Sequence, residues 1–204
     1  MKKNFEYELP PRYTEAYMMD AKEKKTGLIM NGVALLIEII ILAIGIPLLF
    51  LKDNLSFELT LPELLIALIL LFLSMAVYIV LHELTHGVAY KLLTREKLTY
   101  GISWSCAFCG VPSIYVYRRS AIIALIAPLV LFTFVLLPIC VSLYFVHPLY
   151  YILSLVVLGM HVGGCSGDGF LTILFLFKFK SKDTLVRDTG PTQHIYVLNE
   201  EVTE

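Results

Sequence analysis

Charge is scarce in this chain. Asp, Glu, Lys and Arg make up only 16% of the residues against 58% hydrophobic, and the mean hydropathy is +0.77. A soluble domain carries about 25% charged residues, so an ordinary water-soluble fold is excluded. Strong charge of either sign is missing too. The net charge is −1, and no basic stripe interleaves with aromatics, so nothing is built to grip a phosphate backbone and nucleic acid is not expected as a partner. Cysteine is sparse: Cys106, Cys109, Cys140 and Cys165, two of them in apolar segments, suggest no secreted disulfide framework. Internal repeats and low-complexity tracts are lacking. The start Met1-Lys2-Lys3 runs into Asn4-Phe5-Glu6-Tyr7-Glu8 rather than an apolar core, which does not fit a cleavable signal peptide.

What the chain does have is long apolar runs. The first 26 residues read as a polar, partly helical cytoplasmic arm. A first span follows over Gly27–Leu51, long enough for a hydrocarbon core of ~30 Å. A short loop, Asn54–Thr60, leads to Leu61-Pro62, a favourable helix start. The second helix, from Pro62 to about Leu93, would measure ~48 Å at 1.5 Å per residue and must tilt, bend or emerge. Residues 94–119 are mixed. Two short runs, Ile102–Phe108 and Ser113–Tyr117, flank Cys109-Gly110-Val111-Pro112, which has turn character. They suggest a β-hairpin or membrane-hugging ribbon. The third span is Ser120–Tyr144, with Pro128 and Pro138 expected to bend it. The fourth runs from Leu149 to about Phe177, broken by Gly163-Gly164-Cys165-Ser166-Gly167-Asp168-Gly169, since that many glycines do not favour a helix. The polar tail holds one strand-like piece, His194–Leu198.

The expectation is an all-α polytopic membrane protein of about four transmembrane helices, with a small β-hairpin between the second and third. It divides into an arm (1–26), a four-span core (27–178) and a tail (179–204). Lys and Arg collect in the arm, the 94–119 segment and the tail. The positive-inside rule then puts both termini in the cytoplasm.

One stretch carries chemistry: His82-Glu83-Leu84-Thr85-His86. On a helix, positions i and i+4 share a face, so His82 and His86 aim two imidazoles at one point. Glu83 sits beside them, placed to act on a water there. This is the H-E-x-x-H pattern of zinc peptidases. A catalytic zinc needs a third protein ligand. From Pro62 to His82 is 20 residues and from Leu149 to Asp168 is 19, so on parallel spans the two reach similar depth, ~30 Å down. A carboxylate there is expensive unless paired or coordinated, and broken backbone is tolerated where it lines an enclosed cavity. Asp168 is the expected third ligand, with Glu83 as general base. Two imidazoles and a carboxylate favour zinc.

These features resemble the site-2 protease class of intramembrane metallopeptidases. More closely, the chain is similar to a family of small bacterial membrane proteins described as putative zincin peptidases of unknown function. The resemblance spans roughly residues 75–178 and includes His82, Glu83, His86, Ala127-Pro128 and Asp168. It implies zinc, a buried site and cleavage of membrane-associated protein or peptide substrates. Site-2 proteases usually carry an asparagine shortly after a Gly-Pro of the middle span. Here Pro128 is followed by Leu129-Val130-Leu131-Phe132, so that oxyanion helper is missing or comes from elsewhere. Their Leu-Asp-Gly stands here as Gly167-Asp168-Gly169, without a neighbouring Asn-Pro.

Other residues have plainer readings beside the sharp ones. His161 lies two helical turns before Asp168 and is the rival ligand, though a packing or supporting role suits it better. Asp168 itself suits a helix N-cap. Glu38 is a mid-span carboxylate, expected to pair with a polar group of another span or line a water path, or else to be locally hydrated or protonated. Cys106 and Cys109 form a lone CxxC, and a structural zinc needs four ligands, so a hairpin turn or packing is expected. His147 and His194 read as ordinary loop or surface histidines. Against the peptidase stand a non-catalytic membrane adaptor or regulator with a structural metal, which would not need Glu83, and a small transporter component, which usually shows inverted repeats.

Overall fold

The computed structural model describes residues 3–51, 59–103 and 106–199; most of the expected 54–60 loop lies outside them. Among the described residues four helical stretches are long and apolar enough to cross a membrane: Lys24–Leu51, Leu61–Thr94, Arg118–Val146 and Pro148–Phe177. The first is α1 (Lys24–Leu48) closed by a 3₁₀ turn, Leu49–Leu51. The second is α2 (Leu61–Thr94) and the third α3 (Arg118–Val146), which contains Pro128 and Pro138. The fourth is two helices, α4 (Pro148–Gly164) and α5 (Ser166–Phe177). The break falls at Cys165, inside the expected glycine run.

Local chemistry sets the helix ends. Thr60 and Glu63 form a capping box on α2: the Glu63 carboxylate accepts from the Thr60 backbone N–H at 2.9 Å. The other end of α2 stops at Arg95, in the left-handed region at φ 63. Lys91 Nζ donates to the carbonyls of Arg95 and Glu96, both at 3.0 Å, as a cation at a helix C-terminus should. His147, expected as a loop histidine, is the N-cap of α4, its Nδ1 accepting from the Leu149 N–H.

The chain divides into two compact units. One holds residues 30–81 and 129–166 and is helical. Its core gathers Leu49, Cys140, Tyr151, Leu155 and Leu158. Here α4 runs against α1 along Gly159 and Gly163, a small-xxx-small spacing that lets helices approach closely. A Cβ at Gly163 would lie 2.6 Å from the Ala34 carbonyl oxygen, and one at Gly159 would meet the Glu38 carboxylate at 2.5 Å.

The other unit holds residues 1–29, 82–128 and 167–204. It contains a five-stranded antiparallel sheet in the order β1-β5-β6-β7-β2. These are β1 (Phe5–Glu6), β2 (Tyr13–Asp20), β5 (Tyr115–Tyr117), β6 (Leu185–Asp188) and β7 (Thr192–Leu198). A separate hairpin pairs β3 (Thr99–Ile102) with β4 (Ala107–Gly110). Val111, Ile114, Val116, Leu185 and Ile195 are fully buried and form the heart of this unit.

The sheet corrects the all-α expectation. The arm expected to be partly helical holds two strands, β1 and β2, and enters α1 only at Lys24; β2 pairs with the tail, Thr14 opposite Val197 and Met18 opposite His194. Each strand is short and half-polar, and its partner stands far away in sequence, so neither announces itself alone. The strand at 194–198 is present. The hairpin also exists, but in another register. Ser103 and Cys106 make its turn, and 115–117 joins the larger sheet. Gly110 misled the reading: it is not a turn glycine but a close-approach glycine. A Cβ there would lie 2.2 Å from the Gly190 nitrogen.

Two neighbouring glycines should therefore behave oppositely. Gly163→Ala pushes a methyl into the α1 backbone and is expected to cost about 1–3 kcal/mol. Gly164, with nothing within 4 Å of its would-be Cβ, should accept alanine neutrally or gain slightly. Thermal unfolding of both variants in detergent checks this, and equal midpoints would refute the close α1–α4 contact.

Candidate metal centre

The histidines of α2 and the aspartate of α5 meet. His82 Nε2 and His86 Nε2 lie 3.1 Å apart, and each lies 3.4 Å from Asp168 Oδ2. A tetrahedral zinc with ligands at about 2.0–2.1 Å holds those ligands roughly 3.3–3.4 Å from one another. The three donor atoms thus already form one face of such a site. Both histidines are buried and Asp168 is half-buried. Among the described residues these three form the group able to hold a metal ion. Asp168 is the third residue of α5 rather than its N-cap, in the first turn where the helix dipole favours a carboxylate.

A metal ligand must present a bare nitrogen. His86 does so through its other nitrogen: Nδ1 lies 2.9 Å from the carbonyl of Ala124 on α3. In the neutral ring, donation of Nδ1–H to that oxygen leaves Nε2 as the bare nitrogen and fixes the ring plane. That carbonyl is free for a sequence reason. In a helix it would accept from the N–H four residues on, and the residue there is Pro128, which has none. Pro128, buried at the same level, was singled out in the sequence as a bend and as part of a resemblance. Its consequence is an acceptor for His86.

The same face of α2 carries a third anchor, one turn beyond His86. Tyr90 donates to Asp188 Oδ2 at 2.6 Å. Asp188, at the end of β6, also accepts from the Gly190 N–H at 2.8 Å and Gln193 Nε2 at 3.3 Å. Both side chains are buried. The β6–β7 turn needs glycine at 190, whose φ is +101. Sequence reasoning missed Tyr90 and Asp188; the available signal was the i, i+4, i+8 stripe His82–His86–Tyr90. The carbonyl of Phe175 accepts from Arg118 Nε at 2.8 Å, tying the far end of α5 to the start of α3.

Glu83 lies on the neighbouring stripe of α2 with Gly87. The Tyr100 hydroxyl of β3 covers Gly87, where a Cβ would come within 1.8 Å of it. The Tyr100 phenol is pushed up by burial, then by the Cys109 and Glu83 charges. The ribbon is thus adjacent to the histidine stretch, through Leu98 and Tyr100 just before the expected segment.

The remaining candidates are placed as follows. His161 is fully buried, its Nδ1 2.9 Å from the Tyr78 hydroxyl and its Nε2 3.1 Å from Thr133 Oγ1. It is outside the metal group, and both nitrogens are engaged. Cys106 and Cys109 are free thiols, one in the hairpin turn and one buried in β4, where burial pushes the Cys109 thiol up to about 12. His194 lies in β7 with Nδ1 3.3 Å from Glu15. Glu38 keeps both carboxylate oxygens buried without a hydrogen-bond partner among the described residues.

Two outcomes test these supports. Pro128→Ala restores an N–H that competes for the Ala124 carbonyl, and affinity for a divalent metal should fall by about tenfold without loss of thermal stability. Unchanged affinity in competition with a chelator would refute the role of Pro128. Burial pushes the Asp188 carboxyl up to about 6, from an ordinary 3.8. The folded protein therefore binds that proton more tightly than the unfolded chain. The stabilisation is complete below the ordinary value and is lost as pH rises through about 6. The melting advantage of the wild type over Asp188→Asn should shrink by several degrees between pH 5 and pH 7. A constant difference would contradict it.

No curated protein and no solved structure matches the chain. A family described as "Putative zincin peptidase" matches residues 74–184, just over half of the 204. That range covers the histidine stretch, Ala124, Pro128 and Asp168, and the chain belongs to this family.

Proposed function

We propose that the protein is a membrane-embedded zinc metallopeptidase that hydrolyses peptide bonds of membrane-associated proteins near the cytoplasmic face. The observation that carries this reading is the triangle of His82 Nε2, His86 Nε2 and Asp168 Oδ2, with sides of 3.1, 3.4 and 3.4 Å, beside Glu83. His82, His86 and Asp168 hold the zinc, which supplies Lewis acidity and makes water a nucleophile near neutral pH. Glu83 is the general base: its carboxylate takes the proton of the attacking water and passes it to the leaving amine. His86 is oriented for this by the Ala124 carbonyl. A non-catalytic structural site would have no use for Glu83.

The substrate segment must be extended, because a helix hides its carbonyls in hydrogen bonds. The β3–β4 hairpin beside Gly87 supports strand addition, with β3 paired to β4. The four spans within 27–178 form the core in the bilayer, and the sheet built mainly from 1–26 and 179–204 lies on the cytoplasmic side with both termini.

Metal content and peptide hydrolysis of the detergent-purified chain test the proposal together. Wild type and Glu83→Gln should each hold about one zinc, and Asp168→Ala should lose it while His161→Ala keeps it. Glu83→Gln should lose at least about 100-fold in turnover. A folded wild type that takes up no zinc when supplied, or a Glu83→Gln variant of full activity, would refute the peptidase.

A further inference from the structure

Helix α2 carries a second stripe beside the one formed by His82, His86 and Tyr90. Glu83, Gly87 and Lys91 recur at i, i+4 and i+8 on one face. Along this stripe runs a groove of 530 Å³, lined by Gly87, Val88, Lys91, Lys97, Leu98 and Tyr100. One wall is the last turns of α2. The other is the chain entering β3. Its floor at Gly87 adjoins His86, and Tyr100, which roofs that floor, feels the Glu83 charge. The groove's lining therefore begins at Gly87, one helical turn beyond the proposed general base, and leads away from it.

Its far end is cationic. Lys91 spends two of its three donors on the Arg95 and Glu96 carbonyls, which holds the ammonium in place and leaves one donor over. Lys97 lines the opposite wall and is exposed. Glu96, whose carboxylate accepts from the Tyr7 hydroxyl at 2.9 Å, is not among the lining residues. Between the base and the lysines the walls are apolar or aromatic: Val88, Leu98 and Tyr100.

We propose that this groove is a substrate subsite for an acidic side chain, Asp or Glu, of the extended peptide cleaved at the metal centre. The inference rests on the peptidase reading above. Glu83 to Lys91 spans eight residues of helix, ~12 Å. An extended peptide advances ~3.3 Å per residue. The acidic residue thus sits about three to four residues from the scissile bond, with small or apolar side chains between.

The test uses the full chain in detergent, zinc supplied, with acetylated and amidated peptides in which one Glu is walked along an otherwise neutral sequence. Glu at one position three or four residues from the cut should lower KM about tenfold relative to Gln. Lys97→Glu should abolish that preference or turn it towards Lys; this side chain caps no helix, so the variant keeps its fold where Lys91→Glu is at risk. Binding of the same labelled peptides to Glu83→Gln, followed by fluorescence anisotropy, separates the two readings. Equal cleavage of Glu and Gln peptides overturns the subsite and leaves the peptidase. Selective, Lys97-dependent binding of the Glu peptide with no cleavage by wild type keeps the subsite and overturns the peptidase. If Lys97→Glu instead alters only retention on phosphatidylglycerol vesicles, the lysines face lipid and the subsite is overturned.

Discussion

A backbone carbonyl without a helical partner is the constraint around which the site is organised. Pro128 denies the Ala124 oxygen its usual N–H, and His86 Nδ1 takes the place at 2.9 Å. A buried unpaired carbonyl is costly, so α2 and α3 are held in the register that satisfies it. The imidazole is thereby fixed in one tautomer, its free nitrogen turned to Asp168. One residue that cannot donate thus settles the backbone contact, the ring plane and the tautomer of the neutral His86.

The helix bearing the histidines is over-determined on both sides. One stripe runs from His82 through His86 to Tyr90, facing Asp168 and then Asp188. The adjacent stripe runs from Glu83 through Gly87 to Lys91, under Tyr100. The stripe facing Asp168 and Asp188 is buried, and the other opens onto the groove. Tyr90 and Asp188 connect this helix to β6, so the C-terminal strands belong to the support of the site. Their hydrogen bonds are made in a buried setting, where loss of a partner leaves a polar group stranded.

Much of the site was readable from local rules. The i, i+4 spacing placed His82 and His86 on one face, and the cost of a buried charge pointed at Asp168. A break in the fourth span was expected from its glycines; it falls at Cys165, while the glycines on either side are helical. The sheet was not readable. Strands such as Phe5–Glu6 and Leu185–Asp188 are too short for a periodic signal and find partners far along the chain. Gly110 was misjudged because a glycine that admits a neighbouring backbone looks, in sequence, like one that turns. Pro128 was noticed as a bend, while its effect lay four residues earlier and on another helix.

The sequence by itself determined what depends on neighbours along the chain: four apolar helices, a His-Glu-x-x-His face and an acidic residue at matching depth. Helical period and the cost of burying charge act within a single segment, so they can be read one segment at a time. The tertiary structure decided everything that needs two distant segments in contact. It gave the Ala124 acceptor for His86, the Asp188 acceptor for Tyr90, the Tyr100 roof over Gly87, and the sheet joining both ends of the chain. Those contacts arise from steric fit and from pairing buried donors with acceptors, and no single stretch of sequence contains both halves of either.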